Sequence, residues 1–311
     1  MKDFTHYTVM KNEAVDALNC KDGLIYVDCT LGGGGHSELI LQRISPNGKL
    51  ISFDIDQDAI DAASERLKAY KNLTIVKDSY TNVKQVLKNL GIEKITGGIL
   101  FDLGASYHQL TKQERGFSFS KEAPLDMRFN MDSNFSAYDV VNDYSEDELV
   151  KIFSEYGEER FSKRIAKKIV EQRKIKKLET TTELADLIVN CTPKVKSHIH
   201  PATRVFQAIR IEVNHELQNV KNTLNDVLDL LDFGAIISVI SFHSLEDRLV
   251  KQTFKYYSTR CHCERNQMVC NCPPPVIELV NKKPIMASEE EIKENPPSRS
   301  AKLRIARCIR K

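Results

Sequence analysis

Three aspartates and a run of four glycines carry the clearest chemistry in this 311-residue sequence. Asp28 follows an apolar run at 24–27 and precedes Gly32-Gly33-Gly34-Gly35-His36-Ser37. An amphipathic stretch, Glu38-Leu39-Ile40-Leu41, begins directly after. Apolar strand, glycine turn and helix, in that order, open a nucleotide-binding α/β unit. Glycine takes positive φ and lets a ligand come close to the main chain. Asp54 ends the next apolar run, about 20 residues beyond Gly32, where a carboxylate accepts hydrogen bonds from both ribose hydroxyls of a cofactor. A Gly-x-Gly-x-x-Gly pattern starting at Gly32 fails, because Ser37 stands at the third glycine. An acid just before the turn and no third glycine fit S-adenosylmethionine better than NAD. Asp28 either orders the turn or reaches the cofactor's amino group. The competing reading is a tight turn with no ligand. Asp102, a third acid, closes the apolar run at 97–101.

These acids need a sheet to hold them. Residues 24–27, 49–54, 73–76 and 97–103 read as strands. Helical stretches at 13–18, 37–44, 56–70 and 83–90 alternate with them, and Ile60, Ala63, Leu67 and Tyr70 form one stripe. Such alternation predicts an α/β fold with a parallel, doubly wound, Rossmann-like sheet. The pattern then breaks. Residues 105–135 are polar and irregular, and no strand-like run occurs before residue 200. Ser145-Glu146-Asp147-Glu148 is a capping box that opens one helix, and Thr180 to Glu183 opens another. Pro201 begins a long helical region reaching about residue 231; residues 235–241 are a strand again, and 301–309 read as an edge strand. The expected organisation is a sheet domain in two parts, 1–104 and 201–311, around an all-helical insertion at 105–200 that recognises substrate.

Hydrophobic residues make up 41% and charged residues 28% of the chain, an ordinary globular composition. No apolar run approaches the ~20 residues of a membrane span, and residues 1–13 lack the apolar stretch of a signal peptide. A cytoplasmic protein without a membrane partner is expected. The net charge of +2 says little; its distribution says more. Residues 143–159 hold seven acids and one lysine, residues 160–177 hold nine basic residues and one acid, and 299–311 hold six basic residues and no acid. Basic patches of this kind either contact phosphates or form a solvated helix face.

Seven stretches, in order along the chain, together resemble the RsmH (MraW) family of S-adenosylmethionine-dependent methyltransferases. They are Asp28 to Ser37, Glu114-Arg115-Gly116-Phe117-Ser118-Phe119, Pro124-Leu125-Asp126-Met127-Arg128, Tyr156-Gly157-Glu158-Glu159-Arg160-Phe161, His200 to Arg210, Ile240 to Arg248, and Asn295 to Ser300. The resemblance implies a class I methyltransferase sheet with a helical domain inserted after the fourth strand. It implies methylation of the exocyclic N4 amine of a cytosine in the decoding centre of small-subunit ribosomal RNA. By position, Gly34, Gly35 and His36 would line the methionine part of the cofactor, Asp54 would hold the ribose, and Tyr80 would pack on the adenine. Asp102 would sit beside the reactive end and Gln109 would close the pocket. Tyr107 and His108 depart from the Ser-Pro that the family usually carries there, which puts the lip of the pocket in question.

Methyl transfer from a sulfonium is a displacement that mainly needs nucleophile, methyl carbon and sulfur held in line. A cytosine amine is a weak nucleophile, so an acceptor beside its hydrogens helps. Asp102 is the first candidate to place cofactor and amine; its alternative is to cap the next loop. The base must leave its stack to be reached. Phe242 and His243 are candidates to stack on it or bond to it, with His243 as a second catalytic candidate. Their alternatives are core packing for Phe242 and capping of the next helix for His243. Arg115, Arg128, Arg204 and Arg299 suit phosphate, or else salt bridges to neighbouring acids.

Cys261, Cys263, Cys270 and Cys272 form Cys-x-Cys-x₆-Cys-x-Cys, a clustering that in a cytosolic chain favours a structural zinc over disulfides. Free thiols in a loop are the other reading. Two further functional readings compete: an amino-methyltransferase acting on another nucleic acid, and a cofactor-binding ribosome assembly factor without catalysis. The first lacks the Asn/Asp-Pro-Pro-Tyr tetrapeptide after strand four. Oligomeric state stays open, a homodimer being one of the assemblies considered.

Overall fold

The structure, a computed structural model, describes residues 8–104, 113–193, 200–263 and 270–311. Two compact units share the chain: residues 1–104 with 217–311, and residues 105–216.

The first unit begins with helix α1 (Lys11–Ala17), strand β1 (Ile25–Asp28), α2 (Gly35–Ile44), β2 (Lys49–Asp54), α3 (Gln57–Leu67), β3 (Leu73–Lys77), α4 (Val83–Asn89) and β4 (Gly98–Asp102). The helices start where their sequences supply caps: Asp56 accepts the N–H of Asp58 at α3. The second unit is helical. It contains α5 (Ala137–Asp143), α6 (Glu146–Glu155), α7 (Ser162–Arg173), α8 (Thr181–Cys191) and α9 (Thr203–Asn214). The capping boxes at Ser145 and Thr180 form as their sequences predict, with Glu148 and Glu183 reaching back to the cap backbone. The chain returns to the sheet unit with α10 (Glu216–Leu230), β5 (Ile236–Ser241), α11 (Ser244–Ser258), β6 (Ile277–Leu279), β7 (Ile285–Met286), α12 (Glu289–Glu294) and β8 (Lys302–Cys308).

The sheet order is β3-β2-β1-β4-β5-β8-β6, with β7 paired to β8. Strands β1 to β5 are parallel; β8 runs antiparallel to β5, β6 and β7. Both faces are covered. Val27, Ile51, Phe53, Ile99, Phe101, Ile237 and Val239 point to one face, under α4, α10 and α11. Their neighbours Tyr26, Leu50, Leu100, Ile236 and Ile240 point to the other, under α1, α2 and α3. Burial on both faces is why these strands read as continuous apolar runs. The helical unit has its own core, in which Leu149, Phe153, Ile165, Ile169, Leu184 and Ile188 meet Val205 and Ile209 of α9.

Three expectations change. The second unit extends to residue 216 rather than 200, because α9 buries its apolar face in the helical core. The long helix expected over 201–231 breaks at His215, whose φ of 50° is left-handed and ends α9. The expected edge strand at the C-terminus, β8, lies inside the sheet. Its Arg304 is buried and bonds Asp247 at 2.7 Å, which reconciles a charged residue with an interior strand.

Candidate cofactor site at the strand ends

Strands β1, β2 and β4 are adjacent, and each ends in an aspartate: Asp28, Asp54 and Asp102. The sheet order reverses between β1 and β4, the place where open α/β sheets bind ligands beyond the carboxyl ends of their strands.

Asp28 takes the turn-ordering role. It is fully buried; Oδ1 accepts the N–H of Thr30 at 3.0 Å and Oδ2 accepts the Ser37 hydroxyl at 2.7 Å. Ser37 also lies 2.8 Å from the Ser52 hydroxyl of β2. The glycine turn is thereby tied to both strands. Gly34 caps α2 with φ of 77°, a left-handed conformation suited to glycine. A Cβ on Gly35 would lie 1.8 Å from Thr8 Oγ1, so that face of Gly35 meets the chain at residue 8 and leaves no room for a side chain.

Asp54 Oδ2 accepts the N–H of Gly32 at 2.8 Å, and Oδ1 that of Asp56 at 2.9 Å. Burial nevertheless pushes its carboxyl up to about 6. Ile55 adds a third backbone N–H to this carboxyl, and a carboxylate with about four acceptor positions still has capacity for a hydroxyl donor. Tyr80, just past β3, meets Phe101 of β4 edge-on with centroids 5.9 Å apart, presenting an aromatic surface at the same end of the sheet.

Asp102 is the most perturbed of the three. Burial raises its carboxyl well above the usual range, and the charges of Asp28, Glu246 and Glu291 push the same way. Its backbone N–H donates to Thr30 Oγ1 at 2.7 Å. Its Oδ1 has no hydrogen-bond partner among the described residues. Oδ2 faces His36 Nδ1 at 3.7 Å. His36 is itself buried at the start of α2, with Nε2 3.1 Å from the Val9 carbonyl. A carbonyl only accepts, so Nε2 carries a proton toward Val9, and Nδ1 is the ring nitrogen turned toward Asp102.

His243, a candidate either to bond the target base or to cap the next helix, takes the cap position. It is the N-cap of α11: Nδ1 accepts the N–H of Glu246 at 3.3 Å, and Nε2 lies 3.0 Å from Glu246 Oε1. Both ring nitrogens face Glu246, whose other oxygen accepts the N–H of Phe242 at 2.8 Å. His243 therefore positions the loop after β5. Phe242 is half-buried, and a Cβ on Gly104 would stand 3.4 Å from its ring. Sequence reasoning missed Thr30, Glu246 and Glu291; for Glu246 the signal was its place three residues after a cap. Gln109, Tyr107 and His108 lie outside the described residues.

In the helical unit, Arg115 donates to the carbonyls of Arg128 and Phe129, and Arg128 forms a two-point bond with Asp126. Arg204 donates to the Glu158 carbonyl. These three take structural partners, whereas Arg299 of the sheet unit is exposed. The basic run forms α7, whose Lys163, Arg164, Lys167 and Lys168 are exposed while Ile165, Ala166 and Ile169 are buried. Within the sheet unit, the sulfurs of Cys261, Cys263, Cys270 and Cys272 all lie within 4.8 Å of one another.

A parallel sheet with an antiparallel β8 between β5 and β6, a glycine turn after β1 and acids ending β1, β2 and β4 define a Rossmann-like α/β domain, and the family match makes it a methyltransferase domain. A family model described as the MraW methylase family matches residues 3–309, and the chain belongs to that family. It is 53% identical over 307 residues to "Ribosomal RNA small subunit methyltransferase H" of Caldicellulosiruptor bescii, covering 98% of this chain and all of that one. A protein of the same name from Clostridioides difficile is 48% identical over 312 residues, covering 99% of this chain and all of that one. No helix of the described residues is long and apolar enough to cross a membrane.

Proposed function

We propose that this chain transfers the methyl group of S-adenosylmethionine to the exocyclic N4 amine of a cytosine in the decoding centre of small-subunit ribosomal RNA, acting in the cytoplasm. The names of the full-length relatives support a small-subunit ribosomal RNA substrate. The family resemblance supplies the amine and its place. The observation that carries the reading is Asp102: a half-buried carboxyl at the switch point, pressed by other acids, with one oxygen unpartnered among the described residues.

S-adenosylmethionine fits this donor set because it brings a sulfonium, an ammonium and ribose hydroxyls to a pocket end rich in carboxylates. When bound, it supplies an electrophilic methyl carbon. Asp54 would hold the ribose hydroxyls, and Tyr80 would pack against the base. The glycine turn, fixed by Asp28 and Ser37, keeps the main chain low enough for close approach. Asp102 Oδ1 accepts a hydrogen of the target amine, which steers the nitrogen lone pair toward the methyl carbon and gives the departing proton a place to go. A positively charged ligand also favours the ionised form of Asp102. The exposed cations of α7 suit backbone phosphates of a structured RNA.

The test is transfer of labelled methyl to small ribosomal subunits lacking the modification, followed by mapping of the labelled base. Label on the N4 amine of one decoding-centre cytosine is the expected result. Label on another base would overturn the site assignment. Cofactor binding without transfer to any RNA would make the chain a binding protein.

A further inference from the structure

We propose that Cys261, Cys263, Cys270 and Cys272 hold one structural zinc ion that closes the segment between α11 and β6. Two Cys-x-Cys pairs come together there from positions nine residues apart. Each thiol of the first pair faces one of the second: Cys263 and Cys272 sulfurs are 3.5 Å apart, Cys261 and Cys270 sulfurs 3.6 Å. Four thiolates about 2.3 Å from a tetrahedral zinc stand about 3.8 Å from one another. The observed spacing is close to that figure and far from the ~2.0 Å of a disulfide. All four cysteines are free.

A second observation concerns what else organises this stretch. Among the described residues, none of 259–263 or 270–275 is buried, and Val276 is where the chain rejoins the core of the sheet unit, so the four sulfurs converge outside that core. The backbone N–H of His262 donates to Cys272 Sγ at 3.1 Å. Amide-to-sulfur bonds of this kind offset the negative charge that four thiolates leave around a divalent ion. The His262 ring also stacks on Tyr256 of α11, with centroids 4.3 Å apart, which ties the cluster to the end of that helix. Four sulfur ligands fill a tetrahedral shell and leave no position for water or substrate, so the role is structural. On binding, each thiol releases its proton to solvent and no electron is transferred. The proposal does not depend on the methyl-transfer reading.

The test is elemental analysis of the full chain purified under reductant from zinc-supplemented cells, beside the double variant Cys261→Ser/Cys272→Ser and the single variant Cys270→His. The expected result is one zinc per wild-type chain, loss of zinc in the double variant with the sheet unit still folded by circular dichroism, and retention in the histidine variant. Cobalt substituted into the wild type should give thiolate charge-transfer absorption and the intense visible bands of a tetrahedral site. If the double variant fails to fold, cobalt titration of the metal-stripped wild type decides the matter. A fully reduced wild-type chain that takes up neither zinc nor cobalt, or equal zinc in wild type and a folded double variant, would overturn the proposal.

Discussion

At the residue scale, the candidate site is a set of carboxyls held in the wrong medium for their charge. Asp54 has its carboxyl pushed up to about 6 by burial, and Asp102 is raised further by burial and by Asp28, Glu246 and Glu291. The ligand proposed for them is cationic and donates hydroxyls, so it favours both ionised forms. Protons and cofactor therefore compete. Affinity should rise as pH increases through about 6 for Asp54, and the raised carboxyl of Asp102 acts in the same direction. Calorimetric titration of S-adenosylmethionine across pH checks the sign; affinity that stays flat or falls with rising pH contradicts it. Removing the Asp54 acceptor with Asp54→Ala should weaken the cofactor by roughly 10- to 100-fold, the value of hydrogen bonds to a charged acceptor. Asp54 was legible in the sequence because its distance from the glycine turn is fixed by the length of a helix and a strand. Glu246 was legible only as the third residue after a possible cap, and its bond to the Phe242 backbone follows once His243 takes that cap.

At the element scale, parallel strands β1 to β5 were legible because burial on both faces leaves uninterrupted apolar runs. Strand β8 was misplaced for the converse reason. Lys302 and Arg304 alternate with Leu303 and Ile305 as on an exposed edge, yet Asp247 pairs with both cations within the fold. The break at His215 was invisible, since a left-handed residue that is not glycine leaves no sequence mark. The glycine turn bears most directly on function. Gly34→Ala imposes a left-handed φ on an L-residue and sets a Cβ 3.1 Å from Leu67 Cδ1. The expected cost is about 1–2 kcal/mol of stability, together with weaker cofactor binding. Denaturant unfolding and cofactor titration measure the two separately. Unchanged values for both would mean that the turn tolerates a side chain.

At the scale of the whole molecule, acids and bases balance within each unit, so the charge that bears on function is local. The sheet unit gathers acids at the strand ends, and the helical unit presents the basic face of α7. The near-neutral total of +2 conceals these local patches. Replacing Lys163, Lys167 and Lys168 together with glutamine should weaken binding to ribosomal RNA. It should also reduce the slope of log affinity against log salt by roughly one for each phosphate that is no longer neutralised, leaving cofactor affinity as it was. An unchanged salt slope would assign α7 to a solvated surface.

The most direct test of the methyl-transfer reading is the rate of labelled-methyl transfer to small ribosomal subunits by Asp102→Ala beside the wild type, at saturating cofactor. A carboxyl that positions the amine and receives its proton predicts a loss of about 100- to 10,000-fold, with the variant still folded and still binding S-adenosylmethionine. Transfer at the wild-type rate would contradict the role given to Asp102 and, with it, the placement of the reaction at the end of β4.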